Sequence, residues 1–177
     1  MATKKTSMFT LTERLTIDAV DTATFATIDL GSYVDVGDRQ ALQVHSVDFI
    51  FQGTTAGSRV AGSMNGNGSV YCQVTDLNRG GLVFSDDRAL VASGTLALDI
   101  GGYFTNATDL YPDNFGKGAD DGRYVVNDAL YITGLSTALD VAANAKLNVT
   151  VRVNASIVTL TAKDFMAIAI QSTAADN

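Results

Sequence analysis

Carboxylates are the groups in this chain that could do chemistry. Eighteen of its nineteen acidic residues are aspartate, and Glu13 is the other one. Two Asp pairs, Asp86-Asp87 and Asp120-Asp121, fall in turn-like stretches, with Asp113 and Asp128 nearby. Two carboxyls at a set separation, one of them protonated, can cleave a glycosidic bond. Such enzymes usually also offer aromatic platforms, and this chain has no Trp. Loop carboxylates and carbonyls can instead hold calcium, a hard cation that prefers oxygen. Gly118-Ala119-Asp120-Asp121-Gly122, followed by Asn127-Asp128, has that composition. Asp120, Asp121 and Asp128 are therefore the candidate calcium ligands. The stretch lacks the terminal Glu of an EF-hand loop, and solvated turn carboxylates are the competing reading.

Other chemistries lack their parts. The one histidine, His45, sits mid-strand and would need a Ser or Cys partner and an orienting acid brought in by the fold. A half-buried sheet histidine with one hydrogen bond is the expectation. No Gly-x-Ser-x-Gly elbow occurs, and Gly116-Lys117-Gly118 lacks the spacing of a phosphate-binding loop. One His and one Cys exclude zinc and a cupin-type metal site. Cys72 shares its side of a strand with Val70 and Val74, so a buried, unreactive thiol is expected. These residues make no catalytic set, and the chain is read as a non-enzyme with no cofactor beyond the possible calcium.

A net charge of −7 argues against strong nucleic-acid binding, which rests on Lys and Arg meeting phosphates. Lys4-Lys5 is the only basic pair, and Arg79, Arg88 and Arg123 lie among Asp residues, where structural ion pairs are their expected use. Residues 1–8 hold no signal-like apolar core, and no run approaches the roughly 18 apolar residues of a membrane span. Synthesis in the cytoplasm without a cleaved signal is expected.

The elements that would position these residues are strands. Asp favours turns and caps over helix interiors, and the chain also carries sixteen Gly and a single Pro. Phe9–Ile17 and Asn148–Thr159 alternate apolar and polar residues, the pattern of an antiparallel sheet with one wet face. Leu42 and Val44 are even, whereas Val47, Phe49 and Phe51 are odd, which predicts a bulge near His45–Val47. Further strands are expected around 26–30, 70–74, 82–84, 96–100 and, as one element, 124–133. Residues 53–68 and 103–122 form two long loops. Thr161-x-x-Asp164 ahead of Phe165 favours a capped terminal helix over a last strand. The sum is an all-β chain: an antiparallel two-sheet sandwich, a single jelly roll of about eight strands, with a short C-terminal helix. Residues 1–8 would be a short arm and 9–177 one domain.

This pattern resembles the small single-jelly-roll coat proteins of icosahedral viruses. A polar arm at Met1–Ser7, Thr/Val-rich strands, long loops at 53–68 and 101–122, and the closing segment Asn148–Thr159 carry the resemblance. It implies a structural protein that self-assembles into part of a virion shell, with itself and other capsid proteins as partners. Calcium between subunits would then give Asp120, Asp121 and Asp128 a role. The chain departs from coat proteins with Arg-rich arms, so a vertex or decoration protein fits equally. Tyr103, Phe104, Tyr111, Phe115 and Phe9 are the expected contact residues, since aromatics anchor interfaces. A carbohydrate- or ligand-binding sandwich module is the alternative.

Overall fold

Thirteen residues of alternation from Leu147 to Thr159 form the strand around which one sheet is built. The computed structural model describes residues 3–99, 104–106 and 122–174. Its strands are β1 (Thr3–Lys4), β2 (Phe9–Ile17), β3 (Thr24–Asp29), β4 (Gln40–Gln52), β5 (Gly68–Thr75), β6 (Leu90–Leu98), β7 (Phe104–Asn106), β8 (Arg123–Val125), β9 (Ala129–Ser136) and β10 (Leu147–Thr159). One helix, α1 (Ala162–Ala174), follows them.

The pairing is nested. β2 pairs with β10, β3 with β9, β4 with β8 and β5 with β6, all antiparallel. Successive pairs fall in alternate sheets. The first sheet runs β2-β10-β4-β8 and the second β3-β9-β5-β6-β7. A long hairpin rolled up so that its rungs alternate between two sheets is a jelly roll. β1 continues along the edge of β10 beyond β2, with Thr3 opposite Thr159 and Lys4 opposite Val158. The arm residues Thr3 and Lys4 are thus paired within their own chain.

The predicted bulge is at His45. Ala155 lies opposite Val44 and Asn154 opposite Ser46, which leaves His45 as the extra residue. Before it Leu42 and Val44 face the core; after it Val47 does, and Phe49 and Phe51 pack against it. One inserted residue thus keeps a thirteen-residue strand apolar inside on both sides of a change of phase.

Several expectations need correction: β6 starts at Leu90, ahead of the expected 96, and Phe104–Asn106, expected inside a loop, is β7. Residues 124–133 are not one strand. β8 belongs to the first sheet and β9 to the second, and the chain crosses between them at Val126-Asn127-Asp128. Asn127 Nδ2 donates to the Asp76 carbonyl at 2.7 Å, and the Leu30 amide donates to the Asp128 carbonyl at 2.7 Å. These bonds satisfy the backbone at the crossing. Residues 82–84 are not a strand either. Gln73 on β5 holds Val83 from both sides, Nε2 to its carbonyl at 2.9 Å and Oε1 from its amide at 2.8 Å. A side-chain amide there takes the place of a neighbouring strand.

The core lies between the sheets, where a row of small residues accepts large ones. Cys72 is opposite Gly134 on one side and Gly94 on the other. A Cβ on Gly134 would stand 2.3 Å from Leu15 Cδ2, and one on Gly94 would stand 2.8 Å from the Phe49 ring. Side chains of the first sheet fill the space these glycines leave.

α1 forms as the capping pattern predicts. Thr161 Oγ1 accepts from the Asp164 amide at 3.2 Å and donates to Asp164 Oδ2 at 2.8 Å. That bond holds the Asp164 carboxyl below its usual range. Phe165 is buried against Ala41, Val126, Val158 and Leu160, a second small core. The loop at 53–68 is a packing loop: its short 3₁₀ turn, Val60–Ser63, buries Val60 and Ser63.

Candidate functional site

Among the described residues, two clusters of buried polar side chains could be taken for a site, and both are structural. In the first, His45 Nε2 lies 2.9 Å from Ser156 Oγ, and Ser156 Oγ donates to Gln43 Oε1 at 3.4 Å. A His–Ser pair invites comparison with a nucleophile and its base. Ser156 is wholly buried and His45 nearly so, which leaves no approach for a substrate. His45 is more deeply buried than its sequence context predicts, because β4 and β10 bury polar residues here beside the Ala41–Val158 patch that α1 covers.

The second cluster joins the end of β5 to the start of β8. Asp76 is 4% exposed. Its Oδ2 is 3.2 Å from Arg123 Nη2. Arg123 also donates to the Arg88 carbonyl. Asp76 Oδ1 is buried and has no hydrogen-bond partner among the described residues. Burial pushes the Asp76 pKa above the ordinary carboxylate value, and the charge and hydrogen bond of Arg123 only partly offset it. Nearby, Arg79 and Asp87 make a two-pronged pair, Nε–Oδ2 and Nη2–Oδ1 both at 3.3 Å. Asp87 Oδ1 also accepts the Ala89 amide at 2.8 Å. The expected use of Arg79 and Arg123 in structural ion pairs therefore holds. These bonds tie the β5–β6 loop, β8 and the β8–β9 crossing together.

Of the candidate calcium ligands, Asp128 is exposed at the β8–β9 crossing, while Asp120 and Asp121 lie outside the described residues. Among the described residues no three His, Cys, Asp or Glu side chains stand close enough to hold a metal ion. Of the candidate contact residues, Phe9 stacks on Tyr33 with ring centroids 5.2 Å apart and packs against the core. Phe104 lies on β7, and Tyr103, Tyr111 and Phe115 lie outside the described residues.

Cys72 is free and fully buried, and burial pushes its thiol pKa up. Native protein is expected to resist iodoacetamide at pH 8, with mass spectrometry showing one adduct only after unfolding. An adduct formed at the native state's own rate would contradict this placement.

Sequence reading misses the surface features. Phe84 is 87% exposed on the loop that Gln73 pins. Met166 and Ile170, 59% and 58% exposed, share the outer side of α1, four residues apart. Phe25 on the edge strand β3 is 53% exposed. The only sequence signal for Phe84 is its place between Gly80-Gly81 and Ser85-Asp86-Asp87, two turn clusters that read as strand ends.

No family model matches the chain, and no curated protein matches it. Several solved structures are similar to it. VP1 of Merkel cell polyomavirus, as an unassembled pentamer, is 7% identical, covers 90% of this chain and 98% of its own, and has a TM-score of 0.45. VP1 of trichodysplasia spinulosa-associated polyomavirus is 8% identical, with coverages of 88% and 96% and a TM-score of 0.45. A Desmodium yellow mottle tymovirus chain is 10% identical, with coverages of 88% and 90% and a TM-score of 0.28. This chain's own strand order, β2-β10-β4-β8 against β3-β9-β5-β6, is that of a single jelly roll, and the chains it is similar to are viral capsid proteins.

Proposed function

We propose that this chain is a structural protein that assembles with copies of itself, and that the assembly is a viral shell in which it serves as coat, vertex or decoration subunit. One observation carries the reading: rigid elements present large apolar side chains to solvent. Gln73 fixes the loop bearing Phe84, and α1 is docked through Phe165 while Met166 and Ile170 stay outside. Scattered apolar residues are normal on a surface, but a nearly bare Phe and an i, i+4 apolar pair suit a partner's core. Tyr103, Phe104, Tyr111 and Phe115 are the further contact residues that the sequence offers, since aromatics anchor interfaces. Calcium held between copies by Asp120, Asp121 and Asp128 belongs to the same reading, supported by the spacing of those residues.

Sedimentation of the wild type is expected to show multimers that grow with concentration. Phe84→Asp and Met166→Asp should each keep the melting temperature within a few degrees, since both sites are exposed. Each should shift the population toward the 18.6 kDa monomer. Wild-type protein sedimenting as that monomer at every concentration would contradict the reading.

A further inference from the structure

The outer face of the first sheet carries a groove of about 320 Å³ where β2, β10 and β4 meet the start of the 53–68 loop. Two cations line it, Arg14 from β2 and Lys146 from the segment before β10, and among the described residues no acidic one does. In a chain with nineteen acids and twelve bases, that local balance runs against the whole. Neither cation has an acidic partner among the described residues.

The groove's floor is built. Thr16 Oγ1 donates to Asn148 Oδ1 at 2.8 Å, and Asn148 Nδ2 donates to the Gly53 carbonyl at 2.9 Å. The Lys146 amide donates to Thr54 Oγ1 at 3.1 Å, and the Thr54 amide donates to Ser63 Oγ at 3.1 Å. These bonds hold the floor's neutral polar side chains in place. The lining also holds the Arg14 guanidinium and the Lys146 ammonium, which can only donate, and the Gln52 amide, which can donate through Nε2 and accept through Oε1.

We infer that this groove binds an oxyanion carried on a sugar-sized polar body. Two cations and an amide supply donors to phosphate or carboxylate oxygens, with Arg able to bind them in fork geometry. The volume equals about ten waters of liquid and so admits one sugar unit with its anionic group. Phosphate on a sugar and the carboxylate of an acidic sugar share this chemistry.

Amide NMR titrations of the full chain at low salt, with ribose 5-phosphate, glucuronate and neutral glucose, test it. Saturable shifts are expected at Thr54, Lys146 and Asn148 with one or both anionic sugars and none with glucose. Binding by one anion alone identifies the source. Arg14→Gln and Lys146→Gln should each weaken binding by about tenfold, the loss of one charged hydrogen-bonding partner. Arg152→Gln, on β10 but outside the groove, should leave it unchanged. Shifts that do not saturate, that appear equally with glucose, or that survive the Arg14→Gln/Lys146→Gln double variant would overturn the inference.

Discussion

Replacing Arg123 with alanine is expected to cost about 3 kcal/mol at neutral pH, because it leaves the buried Asp76 carboxylate without its hydrogen-bonded countercharge and with only the weaker field of Arg79. For a chain of this length that lowers the melting temperature by roughly 6–12 °C. The deficit should shrink in acid. Asp76 already has a folded-state pKa above its ordinary 3.8, and removing Arg123 raises it further. A carboxyl with a raised folded pKa contributes stability that is fully present below 3.8 and lost as pH rises through the folded value. The variant should therefore fall furthest behind the wild type at neutral pH and recover toward pH 4. Replacing both partners, Asp76→Asn with Arg123→Met, should cost less than Arg123→Ala alone, since no charge is left buried. Thermal melts of these variants from pH 4 to 8 give the answer. A pH-independent deficit would show that Arg123 acts by packing alone.

Gly134→Val is the second large effect. The new Cβ would stand 2.3 Å from Leu15 Cδ2 and 3.1 Å from Ile17 Cδ1. Leu15 is a flexible side chain, but it is 2% exposed and Ile17 is fully buried, so moving either disturbs filled space. Overpacking of this kind costs about 1–3 kcal/mol. Leu15→Ala in the same chain should return part of that loss by opening room for the valine, a non-additivity that a double-mutant cycle reads directly. Equal losses in both backgrounds would mean that Leu15 and residue 134 do not share space.

Where one residue's neighbours decided its place, the sequence was readable. The phase change from Leu42 and Val44 to Val47, Phe49 and Phe51 located the bulge at His45, because a one-residue slip turns every side chain over. Thr161 and Asp164 announced α1 because their reciprocal bonds are local. Features resting on distant partners were not readable. Val125-Val126 and Ala129-Leu130 read as one apolar strand, and only the Asp76 carbonyl and the Leu30 amide, far off in the chain, show why it breaks between them. Leu82-Val83-Phe84 has strand composition, but Gln73 captures its backbone and leaves Phe84 in solvent. β6 begins at Leu90, earlier than the expected 96, since Leu90-Val91-Ala92 is buried without polar alternation to mark it. Arg14 and Lys146 come together only through the pairing of β2 with β10.

Self-assembly is the central claim, and the mass of the wild-type chain in solution tests it most directly. Light scattering on purified protein, first with calcium and then with a chelator, is expected to give particles many times 18.6 kDa. Loss of those particles on chelation would give Asp120, Asp121 and Asp128 their metal, and persistence would assign the contacts to the apolar side chains alone. A mass of 18.6 kDa under both conditions, at every concentration reached, would contradict the account.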